Sequence, residues 1–206
     1  MALENQRKRS MMTQPAPPIK AAATTIIRRD TRVLMGRRQR GAVFLPDKFV
    51  FPGGRVDPTD ANVPFSGALD PRCAAALRVE AEHAPEVYGA AALRELYEET
   101  GLRPAVDGIA MRFVYRAITP PDMSRRFDAR FFMIDANDLA GDLDQLSPPE
   151  DELRNLQWMT IESALEHPVA QITRDVLRHV QAGIPPDVVP WRMGDREDRI
   201  TRLIPR

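Results

Sequence analysis

Between Arg94 and Leu102 the chain reads Arg-Glu-Leu-Tyr-Glu-Glu-Thr-Gly-Leu. At 3.6 residues per turn, Glu95, Glu98 and Glu99 are i, i+3 and i+4, so any helix here carries all three carboxylates on one face. Leu93, Leu96 and Tyr97 point roughly the other way, toward a core, and Ala91 and Ala92 leave the acidic face uncrowded. Three carboxylates this close repel one another. Glu98 and Glu99 also fall in the last turn, where the helix dipole disfavours negative charge by ~0.3–1 kcal/mol each. Stability alone would place Lys or Arg there. The simplest compensation is a hard divalent cation with carboxylate ligands, Mg²⁺ or Mn²⁺, and Arg94 can neutralise part of the cluster from the flank. The bland alternative is a solvated acidic helix end, but five fixed identities and two aliphatic positions in one short stretch argue against coincidence.

These residues need a scaffold, and the pattern predicts one. A helix from about Pro85 to Thr100 has Pro in its first turn and Gly101 just past its end, as helix boundaries prefer. Residues 21–28 and 32–38 read as two strands joined by a turn around Arg29-Asp30, and Phe49-Val50-Phe51 as a third, stopped by Pro52-Gly53-Gly54. Ile109 to Arg116 alternates at period two, which predicts a strand with one buried face. Phe127 to Ile134 is another, and its Phe131-Phe132-Met133-Ile134 run predicts a covered central position. Leu156 to Met159 is a short last strand. Helical stretches are expected at 72–83, 161–167 and 169–182. Residues 1–18 read as a loose arm, 19–183 as one domain, and 184–206 as a tail that packs loosely or not at all.

Arg-Glu-aliphatic-x-Glu-Glu-x-Gly-aliphatic resembles the second half of the Nudix box, whose full form is Gly-x5-Glu-x7 followed by that stretch. Phe51-Pro52-Gly53-Gly54-Arg55-Val56-Asp57-Pro58 is similar to its opening Pro-Gly-Gly turn. Six residues on from Gly54 stands Asp60, and eight before Arg94 stands Glu86, so either is a candidate for the missing carboxylate. In the uninterrupted motif Arg would stand at 68, yet it stands at 94, an insertion of 26 residues between about 61 and 85. That insertion has room for a lid, a substrate wall or a homodimer contact.

The resemblance covers about residues 20–182. It implies an α/β Nudix fold, a mixed β-sheet sandwiched between α-helices, and metal-dependent hydrolysis of the diphosphate bond in a nucleoside diphosphate linked to another moiety. By the same resemblance Glu95, Glu98 and Glu99, with the Gly54 carbonyl, hold the Mg²⁺ or Mn²⁺, and Arg94 belongs to the catalytic set. One glutamate must stay available as base; Glu95 and Glu98 are candidates, and Glu150, Asp151 and Glu152, on a loop before the last strand, are rivals. Arg125, Arg126 and Arg37 are candidate substrate-binding cations, since guanidinium forks suit phosphate. Arg125 to Phe132, with Ile118-Thr119-Pro120-Pro121 before it and the interrupted box, resembles the branch containing the peroxisomal coenzyme A diphosphatase. Arg37 to Phe51 does not match that branch's upstream signature, and Leu203 to Arg206 is not a peroxisomal ending. Coenzyme A or a related dinucleotide is therefore one substrate to expect.

Composition narrows the classes. Lys and Arg together number 29, as do Asp and Glu, so the basic excess of a phosphate-neutralising nucleic-acid binder is missing. Cys73 is the only cysteine and His83, His167 and His179 are scattered, which disfavours disulfides and zinc. No apolar run approaches the ~18 residues of a membrane helix, and the basic start at residues 1–10 lacks the apolar stretch of a secretory signal. The expected setting is cytoplasmic. The alternatives are a non-catalytic Nudix-like module that senses a nucleotide, and an isoprenoid diphosphate isomerase, which would want an activated cysteine.

Overall fold

The computed structural model describes residues 16–184, 188–193 and 198–202. The loose arm expected over residues 1–18 therefore lies, up to residue 15, outside the described residues. The first hairpin is formed by β1 (Ile19–Arg29) and β2 (Arg32–Arg38), turning at Asp30, whose φ of 54° is the left-handed conformation such turns use. Short strands β3 (Phe49–Val50) and β4 (Gly53–Arg55) pair with β2 and β1. The insertion holds β5 (Gly67–Leu69) and helix α1 (Pro71–Leu77), and helix α2 (Pro85–Thr100) follows it. A small pair, β6 (Arg103–Pro104) and β9 (Leu139–Ala140), brackets the long strands β7 (Ile109–Ile118) and β8 (Arg126–Asp135). Then β10 (Leu153–Thr160) leads into α3 (Ile161–Glu166) and α4 (Gln171–Gln181).

The main sheet runs β10-β2-β1-β8-β7 and continues through two further strands, β11 (Val188–Met193) and β12 (Asp198–Arg202). It is mixed: β1 and β8 are parallel, while β8 and β7 are antiparallel. Its two faces carry separate cores. One joins Tyr88, Ala91, Ala92 and Leu96 of α2 to Phe132 and Ile134; the other joins Phe131 and Val114 to Val176 and Leu177 of α4. Helices thus cover both faces, and the expected sandwich is what forms. Among the described residues no helix is long and apolar enough to cross a membrane.

Helix α2 matches its expected ends. Pro85 opens it, and Gly101, at φ 78°, closes it by donating its N–H to the Tyr97 carbonyl at 2.8 Å. Ala91 and Ala92 do more than relieve crowding: both are fully buried, and they let the helix lie close enough for Thr25 Oγ1 to donate to the Ala92 carbonyl at 3.2 Å. Tyr97 departs from expectation. It stays 39% exposed, with the Arg103 guanidinium 4.8 Å from its ring centre.

Two further expectations change. The helix in the insertion ends at Leu77, well before residue 83, and the segment is fixed by other means. The β5 strand pairs in parallel with β7, and Arg116 donates to the carbonyls of Val79 and Glu80 at 3.1 Å each. The described residues of the tail, 188–193 and 198–202, form strands that its few apolar residues did not suggest. Residues 188–193 pair in parallel with β7, because an open sheet edge offers backbone hydrogen bonds whatever the side chains are.

Candidate active site

The Pro-Gly-Gly turn brings backbone against the acidic helix face. Gly54 pairs with Ala23 and Gly53 with Thr24, which aligns β4 along β1 above α2. The Gly53 N–H donates to Glu99 Oε2 at 2.7 Å. A Cβ on Gly54 would lie 2.4 Å from Glu95 Oε1, so only glycine admits that carboxylate beside the strand.

Arg94 organises the rest. Its Nη1 donates to Glu95 Oε1 at 2.9 Å and to Glu98 Oε2 at 2.7 Å. Its Nε and Nη2 reach the two oxygens of Asp60 at 2.8 and 3.1 Å, and Nη2 also donates to the Arg55 carbonyl at 3.0 Å. Asp60 is buried on a 3-10 turn at Pro58–Asn62, where its Oδ2 also accepts the Asp57 N–H at 2.7 Å. Between the two carboxylates left open by the motif, the structure brings Asp60 to the cluster. Glu86 does not reach it: its half-exposed side chain lies at the start of α2, 4.0 Å from Arg78.

The electrostatics are those of charge confined in a dry corner. Burial pushes the Glu95 carboxyl up to about 7; Arg94 opposes the shift, and Glu98 and Glu152 add to it. Burial likewise raises Glu99 well above the usual carboxylate range, against the Gly53 hydrogen bond and with help from Glu95 and Glu152. The Asp60 hydrogen bond, followed by the Glu95 contact, holds Arg94 firmly charged against its own burial. Glu99 Oε1 is buried with no hydrogen-bond partner. An orphaned carboxylate oxygen beside two further carboxylates is the donor set a hard cation takes, so these residues fit a divalent ion. With Arg94 Nη1 bridging Glu95 and Glu98, no group of three or more His, Cys, Asp or Glu side chains stands at ligating spacing among the described residues.

Gly53, Gly54 and Glu95 line one part of a cleft of about 1090 Å³. Its floor is Ala22, Ala129 and Ala117, register partners on three adjacent strands, flanked on β8 by Phe127 and Phe131. Phe44 packs edge-on against Phe127 at 5.0 Å and closes one wall. Glu152 also lines this cleft, whereas Asp151 pairs with Arg154 at 2.5 Å and Glu150 offers its N–H to the Glu98 carbonyl at 3.1 Å.

The candidate cations divide. Arg125 lines the cleft mouth. Arg126 does not; its Nε donates to the Thr119 carbonyl at 3.1 Å. Arg130 is fully buried on the opposite face, 2.7 Å from Asp128 and 4.3 Å from the centre of the Tyr88 ring. Arg37 turns to Asp47 at 2.9 Å, outside the cleft lining, and its neighbour Arg38 enters instead, donating to Glu152 Oε1 at 2.6 Å. Successive strand residues point to opposite faces, and no sequence signal chose between two adjacent arginines. Cys73 is buried, and burial pushes its thiol up, away from reactivity.

Comparison with known proteins agrees with this fold. Over 80% of the chain and 92% of the other, the fold superposes on a NUDIX hydrolase from Alicyclobacillus acidocaldarius at TM-score 0.63 and 26% identity. A MutT NUDIX hydrolase from Burkholderia pseudomallei gives TM-score 0.55 at 19% identity, covering 80% and 99% of the two chains. The NUDIX domain of Shewanella oneidensis NrtR, solved with ADP ribose, gives 0.52 at 10%, covering 85% and 97%. No curated protein matches the chain. The likeness is to the family at large and lends no support to the coenzyme A branch. Residues 17–180 match the family model described as NUDIX domain, and with the box assembled around Arg94 this chain belongs to the Nudix hydrolase family.

Proposed function

We propose that this protein hydrolyses the diphosphate bond of a nucleoside diphosphate linked to another moiety, with Glu95, Glu98 and Glu99 and the Gly54 carbonyl holding Mg²⁺ or Mn²⁺. The observation that carries this reading is the buried, unpartnered Glu99 Oε1 beside Glu95 at the glycine-lined part of a large cleft. A bound divalent ion there would supply charge neutralisation for the diphosphate oxygens. Phosphoryl transfer asks little else of a protein beyond positioning and electrostatics. Arg94, held charged by Asp60, adds fixed positive charge to the same corner. Arg125 is a cation for the anionic substrate at the cleft mouth.

Glu152 is the proton acceptor in this reading. Its side chain is 48% exposed and lines the cleft, with Oε1 held by Arg38, and it stands apart from the three glutamates assigned to the metal. Water oxygen bonds to phosphorus, the anhydride P–O bond breaks with its electron pair leaving on the departing phosphate, and the water proton passes to Glu152. The cleft lies at the upper end of ligand-pocket sizes, which suits a two-part substrate such as coenzyme A, a related dinucleotide or ADP-ribose. Hydrolysis of those compounds, nucleotide sugars and nucleoside triphosphates, with magnesium and with manganese, identifies the substrate. Glu98→Gln and Glu99→Gln then test the site: the fold should persist while metal-dependent turnover drops by orders of magnitude. Unchanged turnover in both variants would overturn the assignment.

A further inference from the structure

Three anchors fix the segment that carries Glu152. The Glu150 N–H donates to the Glu98 carbonyl at the end of α2, and the Gln39 side-chain amide donates to the Asp151 carbonyl. Leu153 pairs with Arg38 at the start of β10. Backbone anchors place the segment but leave a glutamate's own torsions free. The Arg38 guanidinium removes that freedom by donating Nη2 to Glu152 Oε1 at 2.6 Å. Arg38 is itself well held: its backbone N–H donates to the Lys48 carbonyl at 2.9 Å, and its side chain is only 18% exposed. Glu152 is the only carboxylate paired with it among the described residues.

We infer that Arg38 is a positioning residue for the hydrolysis, fixing the Glu152 carboxylate at the acidic part of the cleft. The inference rests on Glu152 being the proton acceptor of the proposed reaction. Arg38 engages Oε1, which leaves Oε2 to receive the water proton. A partly exposed ion pair adds little to stability, so the function of this contact lies in geometry more than in holding the fold. Loss of the guanidinium should therefore act on turnover and leave substrate binding nearly unchanged.

The test is steady-state hydrolysis of the best substrate from the screen, with magnesium, by wild type, Arg38→Ala, Glu152→Gln and the double variant. Glu152→Gln should lower kcat by ~10²-fold or more, the range of general base catalysis. Arg38→Ala should lower kcat by ~10-fold or more with KM nearly unchanged, a part of that same contribution. The double variant should be no slower than Glu152→Gln alone. Guanidinium at tens of millimolar should partly restore Arg38→Ala and leave Glu152→Gln unaffected, which a merely structural arginine would not show. An active Glu152→Gln overturns the base assignment underneath. An inactive Glu152→Gln beside multiplying effects, or an Arg38→Ala loss confined to KM, overturns the role of Arg38. Should Arg38→Ala not fold, Arg38→Gln decides: lowered kcat at constant KM supports the inference, and unchanged kcat sinks it.

Discussion

At the scale of single residues, the site depends on an atom that is not there. Gly54 has no Cβ, and the Glu95 carboxylate occupies that space. Gly54→Ala should therefore displace Glu95 while leaving the core alone, because the atom it meets is the free end of a side chain. The expected outcome is a turnover loss of ~10-fold or more, since small displacements of positioned groups reach 10²-fold. The melting temperature should move little; a large drop with activity per folded molecule intact would refute the account. The motif already marked Gly54, and it marked Arg94 and the three glutamates. It could not choose between Asp60 and Glu86, because a 26-residue insertion leaves two spacings equally valid. Only the folded turn at Pro58–Asn62, which buries Asp60 under Arg94, decides. Arg38 was hidden for a similar reason, since its one-residue offset from Arg37 acquires meaning only once β2 has a register.

At the scale of elements, the strongly punctuated pieces were legible. Pro85 and Gly101 bounded α2, and the run from Phe131 to Ile134 marked the central strand between β1 and β7. What a strand pattern conceals is where small side chains meet across strands. Ala22, Ala129 and Ala117 are unremarkable separately. Aligned by register, they hollow the sheet face between Phe127 and Phe131 and form the cleft floor. Ala129 is only partly buried at the edge of the core that holds Phe131 and Val114, so Ala129→Phe should fill that floor. We expect KM for the full substrate to rise ~10-fold or more, as ~1–3 kcal/mol of overpacking is transferred to ligand binding, with a smaller change in kcat. An unchanged KM would show that the substrate's bulk lies elsewhere. The strand at 188–193 escaped reading for the opposite reason: backbone pairing with β7 requires no side-chain pattern.

At the scale of the whole molecule, the insertion is tied to the sheet by charge buried on the face away from the cleft. Asp128 accepts from Arg116 at 2.7 Å and stands 2.7 Å from Arg130, while Arg116 reaches on to the carbonyls of Val79 and Glu80. Burial alone would raise the Asp128 carboxyl; hydrogen bonds from Arg116 and Arg130 outweigh it and hold the group below its ordinary value. A carboxylate lowered in the fold contributes stability above its unfolded value of about 4 and loses it as pH falls through the folded value. Asp128→Asn removes the carboxylate that two buried arginines share, leaving Arg116 the more distant Glu80 at 3.9 Å, a loss of ~3–5 kcal/mol for a broken buried pair. The variant should melt lower at pH 7, and its deficit should shrink as both proteins are taken below pH ~4 and on through the lower folded value, where wild-type Asp128 also becomes neutral. Release of the insertion should also expose the chain after Arg78 to trypsin in the folded variant. Equal melting of the two proteins at pH 7, with no new cleavage, would show that the insertion is held without this cluster.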